Sequence, residues 1–342
     1  MLEGILNSRV GTRMLMRIGR APYEEVYLNQ LSRELCVGLG RAQELLNSLA
    51  AAGVLSKARS GNRLMYKLNG ESPLALEVIR LASLDAMLGL PKRYQTAAGE
   101  LLRKSKDALG SNLSAFIVYG SVARGAAKKG SDIDILIIAS AAPEKNALEK
   151  LQDGFRDVGD AFAESPEEHV MSEAAFRENY ELGDDFVINV LRDGIIAYDG
   201  RDYYKGFLLH GIPPVSRESI RKRLEAAKKW LDASLDAFRD RPQAATSLMG
   251  VVSIHLSRAA LLLKGAQPGS RHDIPGQLKG IGEAKFARVY KTTRSWEDNP
   301  PMDIGKDELW SYLSFLKEKY FELSRLVAGW TWTTPARHTG EG

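Results

Sequence analysis

A single cysteine, Cys36, in 342 residues excludes a disulfide within the chain and suits a reducing cytoplasm. Set in an apolar stretch, it reads as a small core residue. No Cys/His cluster has the spacing of a zinc site. No apolar run approaches the length that spans a bilayer, and the opening Met-Leu-Glu-Gly-Ile-Leu-Asn-Ser-Arg lacks the basic-then-apolar order of a signal peptide, so a membrane role is not expected. What remains is ordinary globular composition, 44% hydrophobic and 26% charged, in a chain long enough for two or three domains.

Net charge is only +4, but it is unevenly spread. Residues 1–70 carry ten basic side chains (Arg9, Arg13, Arg17, Arg20, Arg33, Arg41, Lys57, Arg59, Arg63, Lys67) against five acids (Glu3, Glu24, Glu25, Glu34, Glu44), which leaves −1 for the remainder. A basic segment of this kind points to nucleic acid. Its pattern is helical over 12–19, with Met14, Leu15 and Ile18 on one face, and again over 27–35, with Leu28, Leu31 and Leu35. Cys36-Val-Gly-Leu-Gly40 is a turn, and a third helix over 41–52 turns Ala42, Leu45, Leu46 and Leu49 inward until Gly53 stops it. A strand from Val54, a basic tip at Ser60-Gly-Asn-Arg63 and a strand over 64–68 complete a hairpin.

Helix, turn, helix and basic hairpin together resemble the winged helix-turn-helix of bacterial and archaeal regulators. The resemblance implies double-stranded DNA as a partner. The third helix would enter the major groove with Arg41, Gln43, Glu44 and Asn47, while Lys57, Arg59 and Arg63 of the wing contact phosphates. A homodimer is expected, since such proteins commonly read paired half-sites.

The most informative stretch is Phe116-Ile-Val-Tyr-Gly-Ser-Val-Ala-Arg-Gly-Ala-Ala-Lys-Lys-Gly-Ser-Asp-Ile-Asp-Ile-Leu-Ile-Ile138. Two short β-branched runs, 115–119 and 133–138, read as buried strands. Gly120 lets the chain turn sharply, and the residues from Ser121 to Arg124 can open a helical turn whose N–H groups and hydroxyl face an anion. Asp132 and Asp134 are two apart on a strand and project to one face, where they repel each other unless a cation lies between them. Mg²⁺ is the expected cation, because it takes hard oxygen ligands and bridges substrate phosphates.

This segment resembles the signature of the minimal nucleotidyltransferases in the DNA polymerase β-like superfamily: Gly-Ser-x-Ala-Arg-Gly, a spacer, then Ser-Asp-x-Asp-Leu. The match covers Gly120, Ser121, Ala123, Arg124, Gly125, Ser131, Asp132 and Asp134, with Ile135 in place of leucine. The resemblance implies ATP or another nucleoside triphosphate as substrate. Gly120 and Ser121, with Arg124 and Ser131, would hold its phosphates, and Asp132 and Asp134 would bind two Mg²⁺ ions. It also implies a third carboxylate on a later strand, as metal ligand or base. In Ser165-Pro-Glu-Glu-His-Val-Met171, period-2 alternation with Val170 inward turns Glu167 and His169 to the cleft; Glu167 is the choice and Glu168 the fallback.

Beyond Tyr203 the pattern is helical, with Ser216 as an N-cap answered by Ser219 where glutamate is usual. Ser257-Arg-Ala-Ala-Leu-Leu-Leu-Lys-Gly-Ala-Gln-Pro-Gly-Ser-Arg-His272 resembles the HEPN helical domain that accompanies minimal nucleotidyltransferases. On that resemblance Arg258 and His272 would line an acceptor cleft.

The expected fold is therefore α+β and multidomain. A winged helix-turn-helix covers 1–70, a helical connector 71–110, a mixed-sheet nucleotidyltransferase α/β core 111–200, a HEPN-like helical bundle 201–330 and a tail 331–342. The expected function is Mg²⁺-dependent transfer of a nucleoside monophosphate to an acceptor hydroxyl on a small molecule or protein, coupled to DNA. The alternatives are a regulator that uses the same fold as a nucleotide sensor, and an antitoxin-like protein-modifying module.

Overall fold

The computed structural model describes residues 8–60, 63–128, 131–162, 166–213, 215–269, 271–301 and 304–329. The hairpin tip at Gly61-Asn62, Gly130 of the spacer, Ser165 and the 331–342 tail lie outside them. The chain forms two compact units. Residues 1–181 with 186–213 make the first, and residues 182–185 with 214–342 the second.

The first unit opens with α1 (Arg9–Arg20), capped by the Ser8 hydroxyl, which accepts from the Gly11 N–H at 3.2 Å. It buries Met14, Leu15 and Ile18 at helical spacing. β1 (Val26–Tyr27), α2 (Leu28–Glu34) and α3 (Leu39–Ala51) follow. β2 (Leu55–Ser60) and β3 (Arg63–Leu68) pair antiparallel with Ser60 opposite Arg63, and the sheet order is β1-β3-β2. Cys36 departs from its expected place in the core: it is exposed, at φ +52°, because it is the left-handed residue that ends α2.

Next come α4 (Leu74–Gly89) and α5 (Lys92–Leu109). Gly19 lets α1 cross α4 closely, since a Cβ there would sit 2.8 Å from both the Ala82 Cβ and the Val78 carbonyl oxygen. The main sheet is built from β4 (Leu113–Tyr119), β5 (Ile133–Ala139), β6 (Pro166–Ser172) and β7 (Ile195–Asp199), in the order β6-β5-β4-β7. β4 runs antiparallel to β5 and β7, and β5 parallel to β6 through the crossover helix α7 (Lys145–Phe162). A single turn of helix, α6 (Gly120–Ala123), joins β4 to the loop before β5.

Strand alternation divides the sheet into two faces. Phe116, Val118, Ile133, Ile135 and Ile137 pack with Leu101 and Ala98 of α5 and Leu151 and Phe155 of α7. Ala115, Ile117, Leu136 and Ile138 belong to a second core with α8 (Glu173–Glu181), α9 (Asp185–Asp193) and α10 (Tyr203–His210). That core is continuous with Met14, Ile18, Leu31, Leu46 and Tyr66. The segments divided at 70 and 110 in the sequence therefore share one hydrophobic core.

The second unit is helical: α11 (Arg217–Asp240), α12 (Pro242–Leu263), α13 (Ile274–Gly280), α14 (Ala284–Asp298) and α15 (Lys306–Ala328). The Ser216–Ser219 pair forms a reciprocal capping box, with N–H to hydroxyl distances of 3.0 and 3.2 Å. α12 is the one described helix long and apolar enough to cross a membrane, with a hydropathy of 1.5, which corrects the expectation of no such stretch. Its apolarity has a simpler cause, since 67% of that stretch is buried in the core of its own unit.

Phe116 is wholly buried in the sheet. Phe116→Ala is expected to cost about 3–5 kcal/mol, read as a lowered urea midpoint.

Candidate active site

The site is built where β4 ends. Tyr119 stands opposite Asp134 in the antiparallel register, and Gly120 then turns the chain at φ +71°. A Cβ on Gly120 would lie 1.9 Å from Asp134 Oδ2, so only glycine lets the turn close over that carboxylate. The Ser121 N–H donates to Asp134. This amide, expected to face a phosphate, thus has an internal acceptor.

Asp132 is exposed and Asp134 half-buried, the latter at the second position of β5. In the parallel register Asp134 faces Glu167, while Glu168 faces Ile135 and so lies on the opposite face of the sheet. Of the two glutamates, Glu167 is the one on the Asp134 face of the sheet. Burial, then the nearby charges of Glu167 and Asp132, raise the Asp134 carboxyl above its ordinary value; the Ser121 amide and Arg124 only partly offset them. Tyr119 is pushed up by burial and then by Asp134 and Glu167.

Arg124 braces the loop. Its Nη1 lies 2.6 Å from Asp193 Oδ2 at the end of α9, and Arg20 of α1 donates to the Asp193 and Gly194 carbonyls at 3.3 and 3.1 Å. Ser131 closes the spacer: its hydroxyl accepts from the Lys128 N–H at 2.8 Å and its own N–H donates to the Lys128 carbonyl at 3.1 Å.

Below the carboxylates is an aromatic group that sequence reading left unassigned apart from His169. Tyr119, His169 and Phe186 meet with centroids 4.8–6.3 Å apart, and His169 Nε2 lies 3.8 Å from Glu167 Oε1. The signal for Tyr119 was its place directly before Gly120; Phe186, remote in sequence, had none.

Among the described residues no group of three or more His, Cys, Asp or Glu is drawn together tightly enough to hold a metal on its own. The donor set still fits Mg²⁺, which keeps several waters and takes much of its shell from substrate phosphates. Asp134 is raised first by burial and then by the charges of Glu167 and Asp132, and it is this second contribution that such a cation would offset.

The residues proposed for DNA lie on α3 and the hairpin. Gln43 donates to Tyr66 Oη at 3.0 Å, and Lys57 donates to Asn47 Oδ1 at 2.9 Å, so α3 and the β2–β3 hairpin are tied by one polar network. Arg41 pairs with Glu44 at 2.7 Å, Arg63 lies over the Tyr27 ring at 5.3 Å, and Arg59 is exposed. In the second unit Arg258 is half-buried in α12 beside His255, and His272 is exposed on the turn before α13. Burial, then Arg223 and Arg258, push His255 down to about 4.

Residues 100–196 match the nucleotidyltransferase domain family. That stretch contains every member of the carboxylate site and all of the main sheet up to the second residue of β7. A putative protein adenylyltransferase of Methanocaldococcus jannaschii is 44% identical over 54 residues, which are 16% of this chain and 37% of that protein, so only about a third of that relative is spanned. Among solved structures, a nucleotidyltransferase-like protein from Exiguobacterium sibiricum is similar with TM-score 0.37 and 12% identity, over 68% of this chain and 77% of that one. A spectinomycin adenyltransferase from Enterococcus faecialis, solved with ATP and spectinomycin, gives TM-score 0.39 and 15% identity, over 65% and 99%. Neither likeness is high enough to fix the fold.

A carboxyl whose folded value is raised destabilises the fold at pH above that value, because burial and like charges oppose its ionised form. Asp134→Asn is therefore expected to raise the thermal midpoint at pH 7, and the gain should fade as pH falls and the wild-type carboxyl becomes neutral. Melting curves across pH 4–8 check both the sign and the direction.

Proposed function

We propose that this protein transfers a nucleoside monophosphate from a nucleoside triphosphate to an acceptor hydroxyl and releases pyrophosphate. The observation that carries the reading is the meeting of Asp134 with Glu167 in register, under the Gly120-Ser121 turn. AMP is the donor group of choice, on the strength of the adenylyltransferase naming of the relative above. A protein hydroxyl is the first acceptor to test for the same reason, with small molecules second.

In this reaction the acceptor oxygen bonds to the α-phosphorus, the bond from that phosphorus to the bridging oxygen breaks, and pyrophosphate leaves. Glu167 takes the acceptor's proton. Asp132 and Asp134 would hold Mg²⁺, and the bound ions would supply neutralisation of phosphate charge. Gly120 lets the turn close over Asp134, the Ser121 hydroxyl offers the triphosphate a hydrogen bond, and Arg124 holds the loop in place through Asp193. The rest of the work is positioning.

The N-terminal elements supply a winged helix that binds double-stranded DNA. A regulator reading, in which nucleotide occupancy alters DNA affinity, is favoured by the core that these elements share with the catalytic sheet. The lone exposed thiol of Cys36 is compatible with a cytoplasmic setting.

Calorimetric titration of ATP with and without Mg²⁺ tests the chemistry. Metal-dependent binding is expected in wild type and not in Asp132→Ala/Asp134→Ala; no binding of any nucleoside triphosphate would remove the enzyme reading. For DNA, replacing Lys57, Arg59 and Arg63 by alanine should weaken binding evenly across sequences and flatten the slope of log affinity against log salt by about three. An unchanged slope would remove the wing from the interface.

A further inference from the structure

α4 carries an apolar stripe that is exposed among the described residues. Leu81, Leu84 and Leu88 are 44%, 53% and 64% exposed, while Ala75, Ile79, Ala82 and Ser83 on the other side of the helix are buried. Spacings of three and four place the leucines on one face over two turns. This is the a-d-a order of a coiled-coil seam. In that frame Arg80 takes the g position and Asp85 the following e position, five residues apart. Between parallel helices, g of one chain meets the next e of the other, so a twofold copy of α4 would set Arg80 against Asp85 twice.

Arg80 is exposed and, among the described residues, pairs at the surface with Glu77 at 3.7 Å and Asp202 at 3.6 Å, partners it would exchange for Asp85 of a second copy.

We propose that α4 is a homodimer seam in which two copies pair in parallel through Leu81, Leu84 and Leu88, with Arg80 and Asp85 fixing the register. Direction matters to the wing. β3 ends at Leu68 and α4 starts at Leu74, so each basic hairpin leaves from the N-terminal end of the seam. Parallel pairing brings both hairpins to the same end, as two DNA half-sites require. Antiparallel pairing would put them at opposite ends of a helix of 16 residues, about 24 Å long. The seam stands independently of the nucleotide chemistry. Three leucines a side make a small interface, so the dimer is weak.

Sedimentation equilibrium on the full chain tests the dimer. A concentration-dependent dimer is expected in wild type and a monomer in Leu84→Glu. A wild-type monomer up to about 200 μM would overturn the proposal, as would a Leu84→Glu dimer of unchanged affinity. Arg80→Asp alone should weaken the dimer about tenfold and Arg80→Asp/Asp85→Arg should restore it; a double variant as weak as the single overturns the register. For direction, Leu88→Cys in a Cys36→Ser background should cross-link on mild oxidation. Failure of that variant to cross-link while it still dimerises would overturn the parallel arrangement. Circular dichroism of each variant separates loss of pairing from loss of folding.

Discussion

The active site depends on like charges held too close to be comfortable. Asp134 is partly buried under the Gly120 turn, with Glu167 across the register and Asp132 two residues before it. Its carboxyl is raised for that reason. The fold could relieve this by moving one strand or replacing one acid. Instead it fixes them: the turn allows no side chain at Gly120, and the Ser121 amide donates to Asp134. Arg124 anchors the loop to the end of α9.

The sheet that carries these residues is wedged between two cores. One face is closed by α5 and α7, as in many α/β layers. The other belongs to a core that runs on into α1, α2, α3 and Tyr66 of the hairpin. The N-terminal elements are thus neither tethered by a linker nor free to tumble. Tyr66 sits in that core, and its hydroxyl joins Gln43 and Asn47 of α3. A change in the sheet would reach α3 through packed side chains rather than through a loop.

Two sequence expectations failed where a residue's surroundings, not its neighbours in the chain, decide the outcome. Cys36 looked buried because its neighbours are apolar, yet the turn that ends α2 lifts it into solvent. α12 passes for a spanning helix on average hydropathy, since a helix surrounded by others in a core has the same composition.

By itself, the sequence determined the local pieces. The Gly-Ser and Asp-x-Asp spacing marked the strand, turn and strand of the site, because glycine tolerance and period-2 alternation are properties of a few adjacent residues. The serine capping box of α11 and the leucine faces of α1, α2 and α3 were legible for the same reason. Tertiary structure decided what adjacency does not encode. It set Glu167 rather than Glu168 beside Asp134, because parallel register is fixed by packing across the α7 crossover and not by β6 alone. It brought Phe186 to Tyr119 and His169, and Asp193 to Arg124, from segments remote in the chain. It also left one face of α4 bare, which no helical pattern announces, because exposure belongs to the neighbours a helix finds rather than to its own residues.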